Sequence, residues 1–208
     1  MTRNMPSAVR AHALQIARHE MGHYVIARAL GFATGGVSLS VTLDLRHRGG
    51  AAITLARPVE SMAVMQAHLE ARMMVLFAGV MAQTLSSARV DKSKAVAILK
   101  GALGAEHDYA KIKELQHLLR NITFAGTDPG SSRRIEAELK SITDRIWKRT
   151  QTLVEHLADT ITELASLLVD GMAIVEQWGR AADTYEVVFT RERLEALPCV
   201  HTIPVLET

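Results

Sequence analysis

The chain is poor in cysteine, in aromatic residues, in net charge and in long apolar runs, and each shortage removes a class of protein. Of 208 residues only Cys199 is a cysteine, so neither an internal disulfide nor a thiolate metal cluster can form. Aromatic residues make up 4% while Ala, Leu, Met, Ile and Val abound, a mixture that favours helix on helix over an all-β sandwich. The formal charge is +2, and the densest basic stretches, Arg46–Arg48 and Arg133–Arg134, are too short for a nucleic-acid-binding face. The longest apolar run, Met73 to Ala82, is about half of what spans a bilayer. No membrane span is expected. The segment Met1-Thr2-Arg3-Asn4-Met5-Pro6 lacks the apolar core of a signal peptide. A cytoplasmic location is expected.

About half of the residues are hydrophobic, enough for a substantial core. Ser7 to Leu30 reads as a helix, preceded by Pro6 and stopped at Gly31. After Gly35-Gly36, Val37, Leu39, Val41 and Leu43 alternate with small polar residues, which is strand periodicity. Arg48-Gly49-Gly50 reads as a turn and Ala51 to Leu55 as a second strand. Helical spacing returns after Pro58, through Met62, Met65, Leu69, Met73, Leu76 and Val80, until a polar loop around Ser86–Ser87. Shorter helices are expected from about Lys92 to Lys100 and from Glu106 to about Asn121, separated by a break at Gly101 and Gly104. From Ile135 to Leu168 the apolar spacing implies one long helix or two nearly collinear ones. Glu186 to Thr190 reads as a strand and Arg191 to Leu197 as a short helical turn. The fold expected is mainly α with a small β-hairpin or short sheet after the first helix. It forms one unit over residues 1–208, with a front half at 7–121 and a helical rear half at 131–208.

Chemistry concentrates in the first helix. His19-Glu20-Met21-Gly22-His23 is His-Glu-x-x-His, and residues four apart share a helix face one turn apart. Two imidazoles so placed reach a single ion. A catalytic zinc takes such nitrogens and keeps a position for water, while the intervening Glu20 stands beside that water as a general base. His19 and His23 share their face with Ile16, Ile26 and Leu30, so they should be buried and in need of partners. A lone histidine there would read as an ordinary core residue. The pair with Glu20 between reads as a metal site. A third ligand is required, and the residues alone leave Glu70, Glu106, His107, Asp108 and His117 open. Acidic residues at Glu106 and Asp108 also suit a helix first turn for dipole reasons.

In combination these segments resemble the peptidase domain of the FtsH-type ATP-dependent zinc metalloproteases, over roughly residues 10–170. His19-Glu20-Met21-Gly22-His23 is similar to that family's His-Glu-x-Gly-His, and Val37 to Leu55 to its short β segment. Leu76-Phe77-Ala78-Gly79-Val80-Met81-Ala82-Gln83 is similar to its helix bearing Ala-Gly-Arg-x-Ala-Glu. Gly104-Ala105-Glu106-His107-Asp108 is similar to its Gly-Ala-x-x-Asp, which implies Asp108 as the third zinc ligand. The chain departs from the pattern at Val80 and Gln83, where the family has arginine and glutamate. It also contains no G-x-x-x-x-G-K-[ST] phosphate loop. The resemblance thus implies a helical zinc-peptidase domain cleaving peptides or already unfolded polypeptides, or one fed by a separate ATPase. Self-association into a homo-oligomer fits the hexameric rings of the related proteases. The rival expectation is a non-catalytic scaffold or adaptor of the same fold, with a structural or empty metal site. For the peptidase, strand addition of the substrate at Val37–Leu43 is one expected binding mode.

Overall fold

The computed structural model describes residues 5–101, 105–175 and 184–206. Gly104 of the Gly104–Asp108 segment and the first four residues of the amino-terminal segment lie outside them.

The chain opens with α1 (Ser7–Ala29), whose residues 19 to 27 are buried on every side. It continues into β1 (Ala33–Thr42) and β2 (His47–Thr54), then α2 (Met62–Gln83). Ser61 caps α2, its hydroxyl accepting from the Val64 amide at 3.2 Å, which satisfies one orphan donor of the first turn. The Ser86–Ser87 loop is a tight hairpin between β3 (Leu85–Ser86) and β4 (Arg89–Val90). Asp91 caps α3 (Lys92–Lys100), and α4 (Glu106–Thr123) follows with Glu106 and Asp108 in its first turn. The long apolar repeat forms two helices, α5 (Ser132–His156) and α6 (Ala158–Asp170), which part at Leu157. After β5 (Ala173–Val175) and β6 (Thr184–Phe189) come α7 (Arg191–Glu195) and α8 (Pro198–His201). The protein is mainly helical, with a small antiparallel sheet. Among the described residues no helix is long and apolar enough to cross a membrane.

Strands run in the order β2-β1-β6-β5, all antiparallel. The rear half therefore contributes two strands as well as helices, and β6 joins it to the hairpin of the front half. The hairpin turn differs from the expected one. It lies at 43–46, closed by the Thr42 amide donating to the Arg46 carbonyl at 2.9 Å, and Arg48-Gly49-Gly50 belongs to β2. The glycines serve a close approach in the strand, described below, rather than a reversal.

α1 and α2 run antiparallel: His19 meets Gln83 and His23 meets Val75. Small residues bring the two backbones together. A Cβ on Gly22 would fall 2.5 Å from Ala82 Cβ and 2.7 Å from the Ala78 carbonyl oxygen. The interface is thus tight enough for the α2 backbone itself to serve the histidines. α4 and α5 pack against α2, α6 against α1, and one apolar core runs through them.

Candidate metal centre

α1 supplies His19, Glu20 and His23, each 8% exposed. The Val75 carbonyl can only accept a hydrogen bond, so His23 donates to it from Nδ1 at 2.7 Å. His19 Nδ1 lies 3.1 Å from Gln83 Oε1 and donates to it. With each Nδ1 donating in this way, the two Nε2 atoms turn toward one point, and in the neutral ring Nε2 is the acceptor; there the two atoms stand 3.0 Å apart. The amino-terminal turn of α4 adds Asp108, whose Oδ2 is 3.0 Å from His23 Nε2 and 3.4 Å from His19 Nε2. Three acceptors thus converge in a nearly closed space. Mutually facing lone pairs are unfavourable when buried. Something positive is needed between them.

The electrostatics say the same. Burial opposes charging His23, yet the hydrogen bond and charge of Asp108 outweigh it and raise the ring's pKa. Burial likewise opposes the charged form of Asp108, but the two histidine contacts hold its carboxyl far below the usual carboxylate range. The pocket favours a proton or a metal cation. The donor set fits a cation well: four-coordinate zinc with bonds of roughly 2.0–2.1 Å separates neighbouring ligand atoms by about 3.3 Å, close to the 3.0, 3.0 and 3.4 Å found here. Among the described residues His19, His23 and Asp108 form the group able to hold a metal ion.

Gly79 of α2 closes the site from behind: a Cβ there would stand 2.5 Å from His23 Cε1 and 2.7 Å from His19 Nε2. Gly49 of β2 does the same for Glu20, since a Cβ would lie 2.6 Å from its Oε1. The edge strand therefore runs directly over the Glu20 carboxylate.

The chain matches no protein-family model and no curated protein sequence.

Of the five candidates for a third donor, the structure brings only Asp108 to the histidines. Glu70 is held by Arg145 and Arg149 at 2.7 Å, and Glu106, His107 and His117 are exposed. The expected substrate strand at Val37–Leu43 is corrected. β1 is paired on both sides, by β2 and β6, and has no vacant edge; Leu43 sits in the turn. Among the described residues β2 is paired on one side only, and it is the strand beside Glu20. Sequence reasoning also missed the Val75 carbonyl, Gly49 and Gly79. The pair Ala78-Gly79 inside an otherwise bulky apolar stripe was the available signal. Gln83, noted only as a departure, orients His19. A second histidine pair was missed altogether. His12 Nε2 and His47 Nδ1 are 3.0 Å apart and clasp α1 to β2 two helical turns before the motif.

Proposed function

We propose that the protein is a zinc-dependent endopeptidase of the FtsH-like kind, acting on peptides or unfolded polypeptides in the cytoplasm. The carrying observation is the convergence of His19 Nε2, His23 Nε2 and Asp108 Oδ2 on one point beside the buried Glu20. A structural zinc is normally closed by four protein ligands. Here three are gathered, with a carboxylate next to them that is not one of the three. That composition favours catalysis over scaffolding.

His19, His23 and Asp108 would hold the ion, and Gln83 and the Val75 carbonyl fix the two rings for it. Zinc, when bound, supplies a Lewis acid that acidifies water and polarises a carbonyl. Glu20 accepts the proton of the attacking water and returns it to the leaving amine. The bond broken is the C–N bond of the peptide and the bond formed is C–O, so water is consumed and no other reactant is needed. The unpaired edge of β2 offers backbone donors and acceptors to an extended chain. It would lay the scissile bond across Glu20 without reading side chains. With no phosphate loop in its sequence, the chain depends on substrates already unfolded or on a separate ATPase.

The test is metal analysis of the purified protein together with hydrolysis of unfolded casein, with and without a chelator. Glu20→Gln should retain the metal and lose hydrolysis by about 10²- to 10⁴-fold. Metal retained by the wild type with no turnover of any peptide would instead favour the scaffold.

A further inference from the structure

We propose that Arg72 makes the rim of this metal site a receptor for a substrate carboxylate, so that cleavage favours chains presenting a free C-terminus or an acidic side chain beside the scissile bond. The inference rests on the peptidase reading above and names the substrate class for it.

α2 turns one narrow stripe toward the motif histidines: Gln83 to His19, Gly79 to both rings, and the Val75 backbone to His23. At about 100° per residue, Arg72 and His68 continue that stripe toward the amino-terminal end of α2. Arg72 precedes Val75 by three residues, roughly 4.5 Å along the axis. Side chains on a helix lean toward its amino terminus, so the guanidinium extends beyond the His23 side of the site, and Asp108 is the carboxylate that acts on it electrostatically.

Arg72 is half-buried, yet among the described residues it takes part in no hydrogen bond and no ion pair. Three other arginines drawn into the protein have carboxylate partners, Arg120 with Glu138 at 2.9 Å and Arg145 and Arg149 with Glu70. A guanidinium has five donors in a planar fork shaped for a carboxylate, and those of Arg72 are not committed within the described residues. Asp108 does not fill the need, because its Oδ2 faces the histidines. A divalent cation held there would further commit the Asp108 charge and leave Arg72 uncompensated. The charges of Arg57 and Arg72 both bear on His68, whose Nδ1 is buried without a hydrogen-bond partner and whose ring packs on Phe32. An anion from outside can take these donors. In a peptide cleft it is a carboxylate, taken bidentately.

Three matched peptides separate the sources: one with a free C-terminal carboxylate near the cleaved bond, its C-terminal amide, and an amide with glutamate in place of glutamine beside that bond. Zinc-loaded wild-type protein should favour one carboxylate peptide over the plain amide by about 10- to 100-fold in kcat/KM, mainly through KM. Arg72→Gln should abolish the preference, and Arg72→Lys should restore part of it as a point charge. Anisotropy of the labelled peptides on zinc-loaded Glu20→Gln protein reads the same selectivity without turnover. Equal treatment of acids and amide by the wild type overturns the proposal, whether or not the variants fold. So does a parallel loss for all three peptides in Arg72→Gln. Hydrolysis without carboxylate preference leaves the peptidase standing and removes Arg72; selective binding without hydrolysis does the reverse.

Discussion

Adding one methyl group to Gly79 should abolish metal binding at the candidate site while leaving the protein folded. In Gly79→Ala the new carbon would lie 2.5 Å from His23 Cε1, 2.6 Å from His23 Nε2 and 2.7 Å from His19 Nε2. Comfortable contacts need about 3.5 Å or more, so the rings must retreat by close to 1 Å. His23 cannot slide away freely, because its Nδ1 is tied at 2.7 Å to the Val75 carbonyl on the helix that carries the intruding methyl. Ligand distances tolerate only about 0.2 Å. A displacement several times larger should lower metal affinity by at least about a hundredfold, the upper end of what disturbing a supporting contact does. The fold should survive. Overpacking costs about 1–3 kcal/mol, and alanine recovers up to about 1 kcal/mol over glycine within a helix. Gly49→Ala is the companion, since the nearest atoms its methyl would meet all belong to Glu20, the closest at 2.6 Å; it should keep metal binding and lose hydrolysis. Metal content after dialysis against a competing chelator, alongside thermal melts of both variants, reads the outcome. A Gly79→Ala protein holding one equivalent of metal at wild-type affinity would refute the placement of the ion between the two Nε2 atoms. Metal loss in both variants would show a general disturbance instead.

Gln83→Ala removes the acceptor on His19 Nδ1 and should weaken metal binding by about 10- to 100-fold, measured by chelator competition. Glu70→Gln should leave metal content unchanged, because Glu70 serves Arg145 and Arg149. It should lower stability by about 1 kcal/mol in denaturant titrations, since solvent screens the cluster in part. Burial raises the Glu70 pKa but the two arginines lower it further. That stabilisation is therefore present above the unfolded carboxyl value and is lost as pH falls through the lower folded one. His12 is shifted down from 6.5, by burial first and then by the charge of His47. The α1–β2 clasp should thus hold above about pH 6.5 and loosen as pH falls through the folded value. Faster amide exchange across 47–54 at acid pH, beyond the intrinsic change and absent in His47→Gln, would register it; identical exchange in the two proteins would refute it.

How much was legible in the sequence depended on the range of the interaction involved. α1 and its histidine pair could be read outright, because spacing of four on a helix is local geometry and Pro6 and Gly31 mark the ends. Asp108 could not be read from the residues. It is brought in by α4 packing on α2, and only the resemblance favoured it over Glu70 or His107. Gly49-Gly50 was misread as a turn because two glycines usually mark a reversal; here Gly49 is demanded by a carboxylate from another element. β6 was expected as a strand, but its place between β1 and β5 follows from pairing across most of the chain. Without that placement, which hairpin strand kept a vacant edge was invisible. Arg72 carried no signal in the sequence, since the stripe it joins is defined by what lies opposite.

The same insertion of β6 has a consequence for how the molecule comes into being. The hairpin over Glu20 borders a neighbour translated long after it, so a nascent chain exposes the flank of β1 until β6 arrives to dock. The sheet beside Glu20 is therefore completed only when residues 184–189 dock on β1.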